Sequence, residues 1–185
     1  MKTYLVRHGE VNHNLLKKYS RENEDLNETG VKQAGELRRK IEHIEYDAII
    51  SSPLLRARHT ADIINIKNKS VIVDERLRER DPGSLSGQPI ESTNRDEYWG
   101  YYSKLQYGTS EGIVSFFDRV NHFLDMLKTQ NYKSVIVVAH SGVSKAFYGY
   151  FNGIPEDGYF LHLGLKNCEV KEYNLPKVEE NDGCE

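Results

Sequence analysis

Thr3-Tyr4-Leu5-Val6-Arg7-His8-Gly9-Glu10 reveals the fold of this chain more directly than any other stretch. A short run of strand-forming residues passes directly into an arginine, a histidine and a glycine. A continuous apolar run is typical of a strand buried in a parallel sheet, and the glycine marks its end. The guanidinium fork matches two phosphate oxygens, and an imidazole can act as a nucleophile or transfer a proton. The stretch therefore predicts a buried strand that ends at an anion site, although three polar residues alone fit a surface loop equally well.

Strands and helices alternate along the rest of the chain. Further strands are predicted over 47–50, 70–74, 134–139 and 168–173. Amphipathic helices are predicted over 30–44, from Pro53 onward, from a cap at Ser110 onward, and over 143–151. This order predicts an α/β fold: a three-layer sandwich with a mostly parallel central sheet and helices on both faces.

Three of the predicted strands end in unusual polar groups. The first is followed by Arg7 and His8, the second leads through Ser51-Ser52 to Arg56, and the most hydrophobic strand ends at His140. Ligands of open α/β sheets bind beyond the carboxyl ends of the strands. We therefore expect two arginines and two histidines to converge on one site.

Composition restricts the class of partner. The chain has 185 residues and a formal net charge of −3, which gives no reason to expect nucleic acid or an anionic membrane surface. Its apolar runs have the length of a strand and are too short to span a membrane. The cytoplasm is therefore the expected location. Cys168 and Cys184 have neither metal-ligand nor disulfide-framework spacing. A single domain over 1–175 and an acidic, frayed tail over 176–185 are expected.

Five segments, in order along the chain, carry a more specific pattern. They are Arg7-His8-Gly9-Glu10 with Asn14, LNETGVKQA (26–34), SSPLLRARHTA (51–61), LRERDPGSLSG (77–87) and VAHSG (138–142). Together they resemble the signature motifs of the histidine phosphatase superfamily, which includes phosphoglycerate mutases and many small phosphatases. The departures from that pattern are Val11 for a threonine or serine, His59 for a glutamine, Pro82 for an aromatic and Ser141 for a glycine.

The resemblance implies roles for the residues at the strand ends. His8 would be the nucleophile that takes the phosphoryl group, giving a phosphohistidine that water hydrolyses. Arg7 and Arg56 would hold the non-bridging oxygens, and His140 would donate to the same group. Each has an ordinary alternative: a surface or core histidine, or a solvated arginine.

Three further residues are assigned by the same resemblance. Asn14 and Ser141 would add phosphate donors, the latter through its backbone. Glu79 would be the general acid that protonates the leaving oxygen, although it lies in a dense run of charges of the kind usually found on a solvated face. Neither a metal nor another cofactor is expected.

The leading hypothesis is a metal-independent phosphomonoesterase acting on a small phosphorylated metabolite. One alternative is a cofactor-dependent phosphoglycerate mutase, and another is a catalytically weak module of the same fold that binds phosphorylated ligands. The aromatic stretch over 98–107 is either a flap on the leaving-group side or a loop that covers the core. The sequence does not choose the substrate or the oligomeric state.

Overall fold

A five-stranded sheet lies at the centre of the computed structural model, which describes residues 1–176. Its strands are β1 (Lys2–Arg7), β2 (Ala48–Ser51), β3 (Val71–Val73), β4 (Ser134–Ala139) and β5 (Val170–Asn174). The order across the sheet is β3-β2-β4-β1-β5. The first four strands are parallel, and β5 runs antiparallel to β1 at one edge. The predicted α/β class with a mostly parallel sheet is confirmed.

Strand β4 shows why both faces of the sheet need covering. Val135, Val137 and Ala139 belong to one buried cluster, whereas the alternate residues Ile136 and Val138 belong to another. All five side chains are fully buried. Successive side chains of a strand point to opposite faces, so a strand that is apolar throughout requires a helical layer on each side.

The described residues supply these layers from six α-helices. They are α1 (Asn12–Leu15), α2 (Glu28–Lys40), α3 (Leu55–Ile64), α4 (Arg95–Tyr98), α5 (Ile113–Lys128) and α6 (Ser141–Asn152). Residues of α5 and α6 pack in the larger cluster, and residues of α2 and α3 pack in the smaller one. The predicted helices on both faces are therefore confirmed, and no helix of residues 1–176 is long and apolar enough to cross a membrane.

Several predicted helix boundaries were wrong: α2 ends at Lys40 and not at residue 44, and α3 begins at Leu55 and not at Pro53. Helix α2 begins at Glu28 because Asn27 accepts a hydrogen bond from the amide of Gly30, and Val31, predicted to face inward, is 40% exposed. Ser110 does not cap α5, since Gly112 occupies the cap position and the Ser110 amide bonds to the Tyr107 carbonyl. Helix α6 begins at Ser141, directly after β4 and His140.

Two predictions about the extent and location of the chain are not tested. Apart from Pro176, the tail predicted over 176–185 lies outside the described residues. The single domain over 1–175 and the cytoplasmic location stay predictions.

Candidate active site

The two strand-end histidines lie side by side. Arg7 of β1 pairs in register with Ala139 of β4, and the amide of His8 donates to the Ala139 carbonyl at 3.0 Å. The next residue of each strand is therefore a histidine at the same sheet edge. The ring centroids of His8 and His140 are 5.1 Å apart, with their planes at 60°.

A cavity of about 960 Å³ opens at this edge of the sheet. Six of the predicted site residues line it: Arg7, His8, Asn14, Arg56, Glu79 and Ser141. His140 is not among the lining residues; it is fully buried and contacts the His8 ring. The structure thus brings together side chains from four separate parts of the chain.

The His8 ring is held in one tautomer. Its Nδ1 lies 2.6 Å from the Gly9 carbonyl oxygen, which can only accept, so Nδ1 carries the hydrogen and Nε2 keeps its lone pair. Burial, reinforced by the positive charges of Arg56 and Arg7, holds the pKa of His8 well below 6.5. His8 is therefore a neutral imidazole with a free nucleophilic nitrogen at physiological pH.

His140 differs from His8 in which ring nitrogen is hydrogen-bonded: in His140 it is Nε2, and Nδ1 has no partner in the described part of the chain. Its Nε2 lies 2.7 Å from Ser52 Oγ, which already accepts from the Leu54 amide and so has its own hydrogen to donate. The imidazole hydrogen is then on Nδ1, a buried atom without a partner among the described residues. Burial, together with Arg56, lowers the pKa of His140 well below 6.5. An unpartnered buried donor next to His8 is suited to an anionic oxygen.

Arg7 and Arg56 each keep one donor uncommitted. Arg7 Nη1 donates to the Leu165 carbonyl at 2.9 Å, and Arg56 Nη1 donates to the Arg21 carbonyl at 3.0 Å. The Nε atom of each is buried with no partner in the described part of the chain. Burial lowers the pKa of both guanidinium groups, and the charge of Glu79 opposes that effect. Two fixed guanidinium groups with spare donors have the chemistry that suits a phosphoryl group.

Glu79 is held at the beginning of α6. Its Oε2 accepts from the Gly142 amide at 3.0 Å, and its Oε1 accepts from the Arg80 amide at 2.8 Å. A Cβ atom at Gly142 would overlap Oε1, so the carboxylate can approach only because this residue is glycine. The charge run around Glu79 is therefore not merely a solvated face, because this member points into the cavity.

The two remaining predicted residues, Asn14 and Ser141, line the cavity, and the side-chain oxygen of each already accepts a hydrogen bond. Asn14 Oδ1 accepts from Asn167 Nδ2 at 3.2 Å, and that same nitrogen donates to the His8 carbonyl at 2.9 Å. Ser141 Oγ accepts from Lys145 Nζ at 3.3 Å. Asn167 and Lys145 line the cavity as well, and both were missed by the sequence interpretation.

The loop that carries His8 is fixed by the beginning of α2. Glu10 donates its amide to Gln33 Oε1 at 2.9 Å and accepts from Asn27 Nδ2 at 3.0 Å through its carboxylate. A Cβ atom at Gly30 would overlap the Glu10 carbonyl oxygen, and one at Gly9 would press on the Gly30 backbone. The segment over 26–34 thus supports the nucleophile's loop without touching the ligand site.

Lys145 is the most informative residue that sequence interpretation missed. It is only 3% exposed, and its Nζ lies 4.8 Å from the centre of the Trp99 ring. Burial lowers its pKa to about 8. The available signal was spacing, since Lys145 follows Ser141 by four residues and therefore shares its helix face.

The aromatic segment serves as core cover and as part of the cavity wall. Tyr98 and Trp99 are buried in the larger cluster, yet both line the cavity. Arg80 lies over them, with its Cζ 4.0 Å from the Tyr98 ring centre, while Tyr102 is 63% exposed. The interpretation as a loop that covers the core describes Tyr98 and Trp99, whereas the flap on the leaving-group side stays a prediction.

His59, the residue that departs from the glutamine of the motif, does not line the cavity. Its Nδ1 lies 2.9 Å from Asp25 Oδ1 at an exposed site. Within residues 1–176, no group of three or more histidine, cysteine or acidic side chains is arranged to hold a metal ion.

Comparison with known proteins gives a consistent result. The family model described as histidine phosphatase superfamily (branch 1) matches residues 3–179. An uncharacterized phosphatase PhoE of Bacillus subtilis is 34% identical, with 92% of this chain and 93% of the relative covered. Phosphoserine phosphatase 1 of Hydrogenobacter thermophilus is 29% identical, with 97% and 88% covered.

Solved structures resemble the chain over most of its length. A mutant phosphoserine phosphatase of Entamoeba histolytica in complex with phosphoserine is 28% identical, with a TM-score of 0.77 and 92% of this chain and 89% of that one covered. Bacillus stearothermophilus YhfR has a TM-score of 0.82 with the same coverage of both chains, 92% and 89%. At 23% identity, this second likeness concerns the fold alone.

Proposed function

Because this chain belongs to the histidine phosphatase superfamily, we propose that its phosphatase activity proceeds through a phosphohistidine at His8. The enzyme is a phosphatase of small phosphorylated metabolites. One observation supports the proposed site above all others: the free Nε2 of His8 lies at a cavity where three neighbouring cationic or imidazole groups keep unpartnered buried donors. Phosphoryl transfer needs a nucleophile and hydrogen-bond donors that are already positioned to bind the phosphoryl oxygens.

In the first step, the lone pair of His8 Nε2 attacks phosphorus. A bond forms between nitrogen and phosphorus while the bond from phosphorus to the ester oxygen breaks. Protonated Glu79 gives its proton to that departing oxygen, which leaves as an alcohol. The position of Glu79 at the cavity, fixed by the Gly142 amide, supports this role.

In the second step, water attacks the phosphohistidine. Glu79, now a carboxylate, takes a proton from the water, and the bond between Nε2 and phosphorus breaks to release inorganic phosphate. His8 returns to its neutral form, stabilised by the Gly9 carbonyl on Nδ1.

The non-bridging oxygens would be held throughout by Arg7, Arg56 and His140 Nδ1. These donors are already in place and largely dehydrated, so little reorganisation accompanies the reaction. Asn14 and Ser141 stand beside them as additional phosphate donors.

The decisive variant is His8→Ala. Wild-type enzyme should release phosphate from p-nitrophenyl phosphate and from phosphoserine, the ligand named for two of its relatives, and His8→Ala should be at least about 10³-fold slower. Brief incubation with ³²P-labelled ester should label the wild-type protein at an acid-labile bond and leave His8→Ala unlabelled. His59→Ala, which removes a histidine outside the cavity, should behave as wild type.

Two outcomes would contradict this proposal. Equal and negligible rates for wild type and His8→Ala would favour the ligand-binding module. With 3-phosphoglycerate and a bisphosphoglycerate primer, isomerisation faster than phosphate release would favour the mutase.

A further inference from the structure

Lys145 is a buried cation that makes no direct ion pair in the described part of the chain, although the charge of Glu79 acts on it. Its side chain lines the same cavity as His8, and the residue is only 3% exposed. The ammonium contacts Ser141 Oγ at 3.3 Å and lies 4.8 Å from the centre of the Trp99 ring. No carboxylate within residues 1–176 lies within 4.0 Å of it.

A buried ammonium is energetically unfavourable unless an anion pairs with it. A neutral hydroxyl and an aromatic face compensate only part of the hydration that an ammonium loses on burial. The same loss of hydration makes the charged form less favourable, and it therefore contributes most to the lowering of the Lys145 pKa to about 8. Because the ammonium faces a cavity, an anion brought by the substrate can supply the missing charge.

The position of Lys145 assigns it to one end of the substrate. Glu79, which serves the leaving oxygen, binds the first turn of α6 at Gly142, and Lys145 lies on the same helix. A Cβ atom at Gly142 would overlap Glu79 Oε1 and come within 2.8 Å of Trp99 Cη2. Trp99 therefore adjoins both Glu79 and Lys145, which puts the ammonium on the leaving-group side of the cavity.

Arg80, the guanidinium group nearest to Trp99, is already committed to backbone carbonyls. It donates Nε to the Glu111 carbonyl at 2.8 Å and Nη1 to the Tyr98 carbonyl. Lys145 thus contributes one compact positive charge with free donors. A carboxylate matches that single charge. A second phosphate would draw on Arg95 as well, which lines the cavity and whose Nε has no partner in the described part of the chain.

We propose that Lys145 binds a carboxylate on the leaving group, so that the preferred substrates are phosphate esters of small hydroxy acids. This inference rests on the proposed function, because it places the ester oxygen at Glu79. Lys145 is a specificity-determining residue in this account.

The test compares esters that differ only in the carboxylate. Phosphoserine and phosphoethanolamine form one such pair, and 3-phosphoglycerate and glycerol 3-phosphate form another. Wild-type enzyme should show a higher kcat/KM for the carboxylated member of each pair. Lys145→Met should reduce that ratio by about 10- to 100-fold, the range for a lost charge-assisted hydrogen bond.

A matched control separates a specific contact from general charge. Lys18→Met removes the same charge from the wall of the same cavity, and its ratios should stay near the wild-type values. The Lys145→Met protein should be at least as resistant to thermal unfolding as wild type, because an uncompensated buried charge is replaced by an apolar chain of similar size. Thermal unfolding therefore reports on stability, and the kcat/KM ratios report separately on specificity.

The pH profile gives an independent readout. Burial, together with the charges of Arg7 and Arg95 and against that of Glu79, lowers the pKa of Lys145 to about 8. Above that pH the free enzyme loses the ammonium, so the ratio of kcat/KM for 3-phosphoglycerate to that for glycerol 3-phosphate should fall as pH rises from 8 to 10. The Lys145→Met ratio should be flat over the same range.

Three results would overturn the inference. The first is a wild-type ratio that Lys145→Met does not change. The second is an equal loss of kcat for both members of a pair, which would mean that Lys145 acts only by positioning Glu79. The third is a preference for fructose 1,6-bisphosphate over fructose 6-phosphate that disappears in Lys145→Met while the carboxylate preference persists. Failure of wild type to hydrolyse any ester would refute the proposed function instead.

Discussion

At the scale of single residues, hydrogen-bond partners determine which atom of each group can react. The Gly9 carbonyl frees Nε2 of His8, and the Ser52 hydroxyl frees the Nδ1 hydrogen of His140. Two imidazoles 5.1 Å apart thus differ in role because their partners lie on different ring nitrogens. Burial and positive neighbours lower the pKa of both rings and keep both neutral, which suits His8 to the proposed nucleophilic role.

A prediction at this scale concerns Glu79→Gln. A glutamine can keep the contact with the Gly142 amide but cannot give a proton, so kcat for an alkyl ester such as phosphoserine should fall by about 10²- to 10⁴-fold. For p-nitrophenyl phosphate, whose leaving group needs little protonation, the loss should be far smaller. Steady-state kinetics on both esters measures the difference.

Glu22→Gln is the matched control, because Glu22 lines the same cavity but pairs with Arg78. It should affect the two esters alike. An equal loss on both esters in Glu79→Gln would contradict the general-acid role.

At the scale of elements, the beginning of α2 acts as a support for the catalytic loop. Gly30 lies against the backbone of Glu10, and Gln33 accepts from the Glu10 amide. The loop therefore depends on a helix that contributes no side chain to the proposed phosphate site. These contacts give Gly30 and Gln33, three residues apart, a structural role in this segment.

Two glycines of α2 provide a test at this scale. Gly30→Ala should destabilise the protein by about 1–3 kcal/mol and lower kcat, because the added methyl overlaps the Glu10 carbonyl and shifts the loop that holds His8. Gly35→Ala, which has open space around the new methyl, should instead stabilise by about 0.5–1 kcal/mol and keep wild-type kinetics. Urea unfolding and phosphate release measure both; a stabilised, fully active Gly30→Ala would refute the supporting role.

At the scale of the whole molecule, charge is unevenly distributed. The chain carries a formal net charge of −3, yet basic side chains outnumber acidic ones around the cavity. The basic ones are Arg7, Lys17, Lys18, Arg56, Arg78, Arg80, Arg95, Arg119 and Lys145. A concave site with an excess of one sign of charge attracts the opposite sign over several ångströms beyond contact.

Salt should therefore weaken capture of the substrate. Raising ionic strength from about 0.02 to 0.3 M shortens the screening length from roughly 20 to 6 Å, and kcat/KM for a dianionic ester should fall several-fold. The value of kcat should change much less, because contacts within the buried site are poorly screened. Progress curves at several NaCl concentrations, with sucrose as an uncharged control, measure this. A kcat/KM independent of salt would contradict attraction by the cavity.

The sequence by itself determined the class of fold and the edge of the sheet where the predicted site residues meet. Continuous apolar runs require burial on both faces, and parallel strands bring their carboxyl ends to one edge, so the placement of His8 and His140 followed from local pattern. Strand β4 was predicted with its observed bounds, Ser134–Ala139, because its pattern needs no distant information.

Only the tertiary structure decided which side chains became buried, paired or left without a partner. Lys145 gave no local sign of burial, Asn167 reaches His8 across 159 positions, and Gly142 meets Glu79 across 63. The predictions that Ser110 caps α5 and that Val31 faces inward were wrong for the same reason. Periodicity is a property of neighbouring residues, whereas desolvation and hydrogen-bond pairing depend on atoms that folding brings from distant parts of the chain.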